Sequence, residues 1–401
     1  MRSGLVAAVL VAACGGRAPA PAVPRAPVEA PAADLGAAKR VAPRVVDPGH
    51  AETKDPRVVD LDIVRITAHE TSPGGDRATE QVATADLFRD AGEAAKSGET
   101  ERAISIYRRI VADFPESKYA PISLFDIAAI YDGRRDLPAT ISTLRELVTA
   151  YPASRESVDG HLFIAALQTD HDEYADALAT LTDVLARDNL TYADRIEAFA
   201  RRGYCELQLH HYDDADAAFA SAIAAWQQVP HLDDPYYIAM AYYYRGEVAH
   251  RRFLEAPVRL PDDQLIADLD AKRVLAVTAY DLWKQSLGFR QAYWATASGY
   301  QMSQIFVELW EVTVKAPYPA KIAEPTRRQY IEDVHDRVRE HLAKALEGHR
   351  MNVELAKAFG VETSWSKGSE TRAAQVSALL ADDAAGHYVT PDSAGPIDAT
   401  R

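Results

Sequence analysis

The sequence predicts an all-α protein: a solenoid of helical hairpins that continues into a divergent C-terminal helical domain. Three observations predict it. A small residue followed four positions later by a large one recurs at Ala103/Tyr107, Thr140/Leu144, Ala177/Leu181 and Ala215/Phe219, with spacings of 37, 37 and 38 residues. A second small residue stands twelve positions before each of these, at Ala91, Ala128, Ala165 and Gly203. Prolines 115 and 152 close the first two units on the same frame, within Phe-Pro-Glu-Ser and Tyr-Pro-Ala-Ser. A fixed period of this length marks a stacked array, because a single hairpin cannot bury its own apolar face.

The bulk properties set limits on function. The chain has 401 residues and a net charge of −15, from 44 basic and 59 acidic side chains. Such a surface repels a phosphate backbone, which excludes nucleic acid as the main partner. The longest apolar run, Gly4 to Ala13, is about half of what a bilayer-spanning helix needs.

From the N-terminus, residues 1–13 read as a signal peptide, with Arg2 ahead of an apolar stretch from Leu5 to Val11. Val11-Ala12-Ala13-Cys14 resembles the bacterial lipobox, which implies that Cys14 is acylated and becomes the mature N-terminus. Lipidation would leave Cys205 alone, so no intramolecular disulfide is expected. Gly15 after the cysteine points to the outer membrane, facing the periplasm. Residues 14–57 form an Ala/Pro-rich tether, with prolines at 19, 21, 24, 27, 31, 43 and 48 between Gly15 and Pro48. At ~3.1 Å per residue, such a segment reaches on the order of 100 Å. Residues 58–83 read as an extended arm or a short strand, since Val59, Leu61 and Ile63 alternate with Asp60 and Asp62.

Residues 84–232 hold four repeats. Small residues let the paired helices approach, large ones fill the adjoining groove, and proline stops the second helix. The frame resembles the tetratricopeptide repeat (TPR), with departures where Leu87, Leu124, His161 and Phe199 occupy the usual first-helix Trp position and Thr140 replaces Ala. The repeat length and the Tyr-Pro-x-Ser turn are similar to TPRs of envelope lipoproteins of the BamD and YbgF type. The layout of the whole chain resembles deltaproteobacterial and myxobacterial gliding-associated TPR lipoproteins. That resemblance implies a scaffold that recruits protein partners into a cell-envelope complex, without catalysis or cofactor. Its inner-face positions fall on Phe88, Phe125, Leu162 and Tyr204, with acids Asp132, Asp159 and Glu197 nearby. Two readings of the apolar members stand side by side: a partner-binding groove, or core packing against the next repeat.

Residues 233–384 read as a divergent, aromatic-rich helical domain. Tyr236, Tyr237 and Tyr242 to Tyr244 precede Trp283, Trp294 and Trp310, and Gly246 looks like a fifth small position. Helices apolar on more than one face are buried, so most of these rings are expected in the core. A rival reading makes them stacking platforms for an envelope glycan or other small ligand. Ile331, Val334, Val338, Leu342 and Leu346 set out a long amphipathic helix to about Phe359, followed by a last helix near Glu370 to Leu380 and a polar tail over 385–401.

No nucleotide loop, zinc-protease helix or nucleophile elbow is present in the sequence. His210-His211 with Asp213, Asp214 and Asp216 is the nearest approach to a metal cluster, but adjacent side chains on a helix diverge by about 100° and the segment falls on a turn. His335 and His341, six apart, lack the i, i+4 spacing of a ligand pair. No metal ligand set is assigned.

Overall fold

A strand that begins at Val64 finds its partner thirteen residues later. In the computed structural model, which describes residues 64–70, 77–229, 231–318 and 326–391, β1 (Val64–Glu70) pairs antiparallel with β2 (Arg77–Ala83), Val64 opposite Ala83 and Glu70 opposite Arg77. The signal peptide, Cys14 and the tether lie outside the described residues, as does the tail beyond 391. The other described elements are helices joined by turns and loops. The described chain forms two compact units, 64–190 and 191–391.

In the first unit the arm runs straight into α1 (Thr84–Lys96), which pairs with α2 (Thr100–Asp113). Arg65 ties the arm down: its guanidinium bonds Asp113 at 2.6 Å and lies 5.0 Å from the Phe114 ring. Two further hairpins follow, α3 (Tyr119–Gly133) with α4 (Leu137–Ala150) and α5 (Arg155–Asp170) with α6 (Tyr174–Leu185). The small residues of the frame, Ala91, Ala128 and Ala165 against Ala103, Thr140 and Ala177, are all fully buried, and Tyr107, Leu144 and Leu181 fill the space between. Each such side chain contributes about 1.5–3 kcal/mol on leaving water. Thr140 is tolerated at a small site because its hydroxyl donates to the Asp136 carbonyl at 2.8 Å, so no polar atom is stranded.

The turns inside the hairpins repeat as faithfully as the cores. Gly98, Arg135, Asp172 and His210 all adopt positive φ, between 59 and 78°, at spacings of 37, 37 and 38. The next amide in each turn, at Glu99, Asp136, Glu173 and His211, donates back five residues, to Ala94, Tyr131, Gln168 and Glu206. This is the Schellman closure, which satisfies carbonyls that the helix end leaves open. Between the first hairpins, Phe114-Pro115 and Tyr151-Pro152 end α2 and α4, and Ser154 caps α5 by accepting from the Ser157 amide at 3.1 Å.

The second unit starts with the fourth hairpin, α7 (Tyr192–Gln208) and α8 (Tyr212–Trp226), opened by a Thr191/Asp194 capping box. It continues with α9 (Tyr236–Glu255) and α10 (Asp262–Gly288), then α11 (Ala292–Val314) and α12 (Thr326–Phe359), and ends on α13 (Ser364–Asp383). Within each unit consecutive helices pack against one another, so each is an all-α stack of TPR-type hairpins, and the first carries a small β-hairpin. The second unit's aromatic core includes Trp283, Trp294, Tyr243, Tyr300 and Phe253, all fully buried. No helix among the described residues is long and apolar enough to cross a membrane.

Candidate functional site

The structure divides the seven sequence-predicted groove residues between the two units. In the first, Phe88 is 4% exposed, Phe125 3% and Leu162 6%. Phe88 stacks on Tyr119 with centroids 5.0 Å apart and leans on Tyr107 at 5.6 Å, while Phe125 meets Phe163 at 6.2 Å. Within one chain these rings are core, because the following hairpin reaches back over them. The rim is more open: Asp132 and Asp159 are half-buried, Asp159 accepting from Arg155 at 2.6 Å, and Ile122 and Ala166 lie half-exposed on the same first helices. In the second unit Tyr204 is buried edge-on to Tyr244 at 4.9 Å, and Glu197 pairs with Arg201 at 2.8 Å, whose far nitrogen donates to the Tyr237 hydroxyl.

Most of the C-terminal aromatic side chains that the sequence singles out are buried, with Tyr237 and Tyr242 half-buried. Tyr236, Tyr243, Tyr244, Trp283, Trp294, Tyr300 and Trp310 are all buried. They interlock ring on ring, as in Tyr243 on Trp294 at 5.3 Å and Tyr300 on Trp365 at 5.5 Å. This removes the reading of the half as a stacking surface for glycans.

Two buried polar clusters replace it, neither legible in the sequence because their members lie 44 to 68 residues apart. The first joins α9, α11 and α13. Gln301 donates to Glu247 at 2.9 Å, His250 Nε2 lies 2.6 Å from Glu308, Gln304 donates to the other Glu308 oxygen at 3.0 Å, and Arg372 donates to Gln304 at 2.7 Å. Burial pushes the Glu247 carboxyl up. Burial acts against both members of the His250/Glu308 pair, yet their mutual charge and hydrogen bond win, raising His250 and lowering Glu308.

The second cluster closes the end of the stack. The His335 ring lies 2.8 Å from Asp383 through Nδ1 and 2.8 Å from the Val389 carbonyl through Nε2, and Arg339 binds the other Asp383 oxygen. His341 faces elsewhere, edge-on to Phe306, so the two histidines six apart do diverge. Neither cluster brings a nucleophile beside an oriented base. His349 approaches the Ser369 hydroxyl at 3.4 Å, but no carboxylate orients its far nitrogen and both side chains are wholly buried. The described residues therefore offer a helical framework without a convincing catalytic constellation.

One mixed group remains on the surface. Glu206, His211 and Asp214 place a ligand atom each within 4.8 Å of one another. The adjacent histidines point apart, His210 to the Tyr212 hydroxyl at 3.1 Å and His211 to Glu206 at 2.9 Å. Sequence reasoning missed Glu206, which sits on the preceding helix, five residues before His211.

No protein-family model and no curated protein matches this chain. Among solved structures it is similar to a tetratricopeptide repeat protein from Parabacteroides merdae, at 12% identity and a TM-score of 0.34, over 74% of this chain and 98% of that one. At that score the likeness adds nothing to the hairpin geometry described above.

Proposed function

We propose that the chain is a lipid-anchored scaffold of the cell envelope, held to the periplasmic side of the outer membrane through Cys14 and recruiting protein partners to its helical hairpins. The process it serves is outer-membrane assembly or gliding motility. The observation that carries this reading is the stacked array itself: three hairpins in register on a 37-residue frame in the first unit, with their first helices packed side by side. The lipobox-like segment and the Pro-rich tether support the anchoring, since multiple acyl chains hold a protein stably where one does not.

The partner-binding side is the first-helix face of the first unit, where Ile122, Asp132, Asp159 and Ala166 remain accessible around the buried Phe88, Phe125 and Leu162. The test is crosslinking in intact cells, followed by affinity purification and mass spectrometry. Wild type is compared with Cys14→Ser and with an Asp132→Lys/Ala166→Arg double variant, which obstructs the face without opening the core. Partners retained by wild type, lost from the double variant, and redistributed with the protein away from the membrane fraction in Cys14→Ser are the expected result. Unchanged partners in the double variant would discard the face. An unlipidated wild-type protein would discard the anchor.

A further inference from the structure

The turn of the fourth hairpin departs from its three counterparts in a way the fold does not require. In all four, the same backbone closure joins the first helix to the second, and the residue that opens the second helix is Glu99, Asp136, Glu173 and then His211. An acid suits that place, because unsatisfied amides at a helix start favour negative charge. A histidine does not, although His211, like Glu99 and Glu173, makes no side-chain cap and only Asp136 does. Its ring turns instead toward Glu206, the residue whose carbonyl takes the closing hydrogen bond. The counterparts of Glu206 in the other hairpins are Ala94, Tyr131 and Gln168, and those of Asp214 are Arg102, Ala139 and Asp176. Only this turn gathers a carboxylate, an imidazole and a second carboxylate.

The neighbouring acids are engaged elsewhere. Asp213 pairs with Arg252 at 2.5 Å and Asp216 with Arg245 at 2.8 Å, both from α9, whereas Asp214 is directed to the Glu206/His211 pair. Glu206 is buried, and His211 and Asp214 are exposed.

From this juxtaposition we infer that Glu206, His211 and Asp214 form a binding site for one divalent cation of the zinc class. One imidazole nitrogen and two carboxylate oxygens form a ligand set that suits Zn(II), and the exposed side leaves room for water as the fourth ligand. Metal–ligand bonds of about 2.0–2.2 Å require donors roughly 3–3.5 Å apart. His211 and Glu206 already stand 2.9 Å apart, and the exposed Asp214 side chain closes the remaining distance by rotating. Binding replaces the His211–Glu206 hydrogen bond and ties the last turn of α7 to the first turn of α8. Arg202, whose Nε lies 3.9 Å from the second Glu206 oxygen, opposes the metal. The site is structural, since its ligands join the two helices of one hairpin.

The experiment is isothermal titration of the full chain with zinc chloride, with cobalt(II) chloride as a visible-spectrum probe of tetrahedral geometry. One equivalent is expected to bind. His211→Ala and Asp214→Asn weaken binding at least about tenfold, Arg202→Gln tightens it severalfold, and His210→Ala and Asp213→Asn leave it unchanged. Far-UV circular dichroism establishes that each variant is folded. No binding by wild type at millimolar zinc would overturn the inference, and so would equal loss in His210→Ala and His211→Ala, which would mark ordinary adsorption to exposed histidines.

Discussion

The first three hairpins and the C-terminal unit solve the same packing problem with different residues. At the small position of the first helix the first unit uses Ala91, Ala128 and Ala165, while the second uses Gly203 and Gly246. Opposite these stand Tyr107, Leu144 and Leu181 in the first unit, and Phe219 and Trp283 in the second. The Phe219 and Trp283 rings come close enough that a Cβ at either glycine would lie under 3 Å from them, whereas the first unit's large residues leave room for alanine. Cross-helix ties differ as well. The first unit relies mainly on apolar contact and local turns, with one buried carboxylate, Asp126, hydrogen-bonded to Tyr107 of the preceding helix, and surface pairs such as Arg108 to Glu146 at 2.6 Å adding little. The second adds buried charges that join helices dozens of residues apart. A local code thus suffices for a regular array, whereas an irregular one is held by interactions specific to each junction.

All five tryptophans, 226, 283, 294, 310 and 365, lie in the second unit, so their fluorescence follows that unit alone. The largest expected effect is at the closing clasp. Asp383→Ala leaves Arg339 and His335 buried without their carboxylate, and breaking one side of such a group costs about 3–5 kcal/mol. Urea unfolding followed by fluorescence should show the midpoint fall sharply. A midpoint within error of wild type would mean that the junction is held by apolar contact, as in the first unit, and the comparison would collapse.

Acid should come next. Burial holds His349 near a pKa of about 3 and, with help from Lys344, His341 near about 4, against an ordinary 6.5. A histidine whose folded value is depressed binds its proton more readily once unfolded, so its contribution is complete above 6.5 and fades as pH falls toward those values. The raised His250 runs the other way, its contribution complete below 6.5 and lost as pH rises through its folded value. Two residues outweigh one, and the fluorescence midpoint should drop between pH 7 and pH 5. His341→Gln should flatten that drop, and an unchanged slope would remove His341 from the account.

The glycine contrast is tested by exchange. A Cβ on Gly203 would lie 2.6 to 2.8 Å from the Phe219 ring, and one on Gly246 2.6 Å from the Trp283 nitrogen. Overpacking of this kind costs about 1–3 kcal/mol, partly offset by the better helix propensity of alanine. Gly203→Ala should therefore destabilise the second unit. Ala165→Gly, monitored by circular dichroism, should cost about 1 kcal/mol in the first through propensity alone. A stabilising Gly203→Ala would show that Phe219 yields freely.

These contrasts also mark how far the sequence could be read. The frame of small and large residues was legible because it is local: Ala103, Thr140, Ala177 and Ala215 are all buried, as are the large residues four positions on. The partner face was less so. Helical spacing places Phe88 and Phe125 on the first-helix face, but whether a ring meets a partner or Tyr119 depends on how far the next hairpin reaches back. The alternating stretch from Val58 to Thr67 signalled a strand or an extended arm, and its described residues, 64–67, fall in β1, whereas the mate, Arg77–Ala83, carries no alternation strong enough to single out. The clasps were invisible, since nothing at His250 points to Glu308 or at His335 to Asp383. Glu206 was hidden for a different reason: the Schellman turn folds it against a residue five positions later, a relation that belongs to neither helical nor strand periodicity.

The smallest effect should be the one on which the units agree. The left-handed turn position is Gly98 in the first hairpin but Arg135, Asp172 and His210 in the next three. Holding an L-residue there costs about 1–2 kcal/mol, of which glycine's greater freedom in the unfolded chain takes back about 0.4–1. Replacement by glycine should then stabilise each hairpin by about 0.5–1 kcal/mol, most for Arg135→Gly and least for Asp172→Gly, because a short acid tolerates this conformation better than a long base. His210→Gly should show a gain of similar size by fluorescence, although its hairpin belongs to the other unit. A gain confined to one unit would mean that the turns are strained by the packing around them; equal gains would place the cost in the backbone itself, in the part of the hairpin that all four copies share.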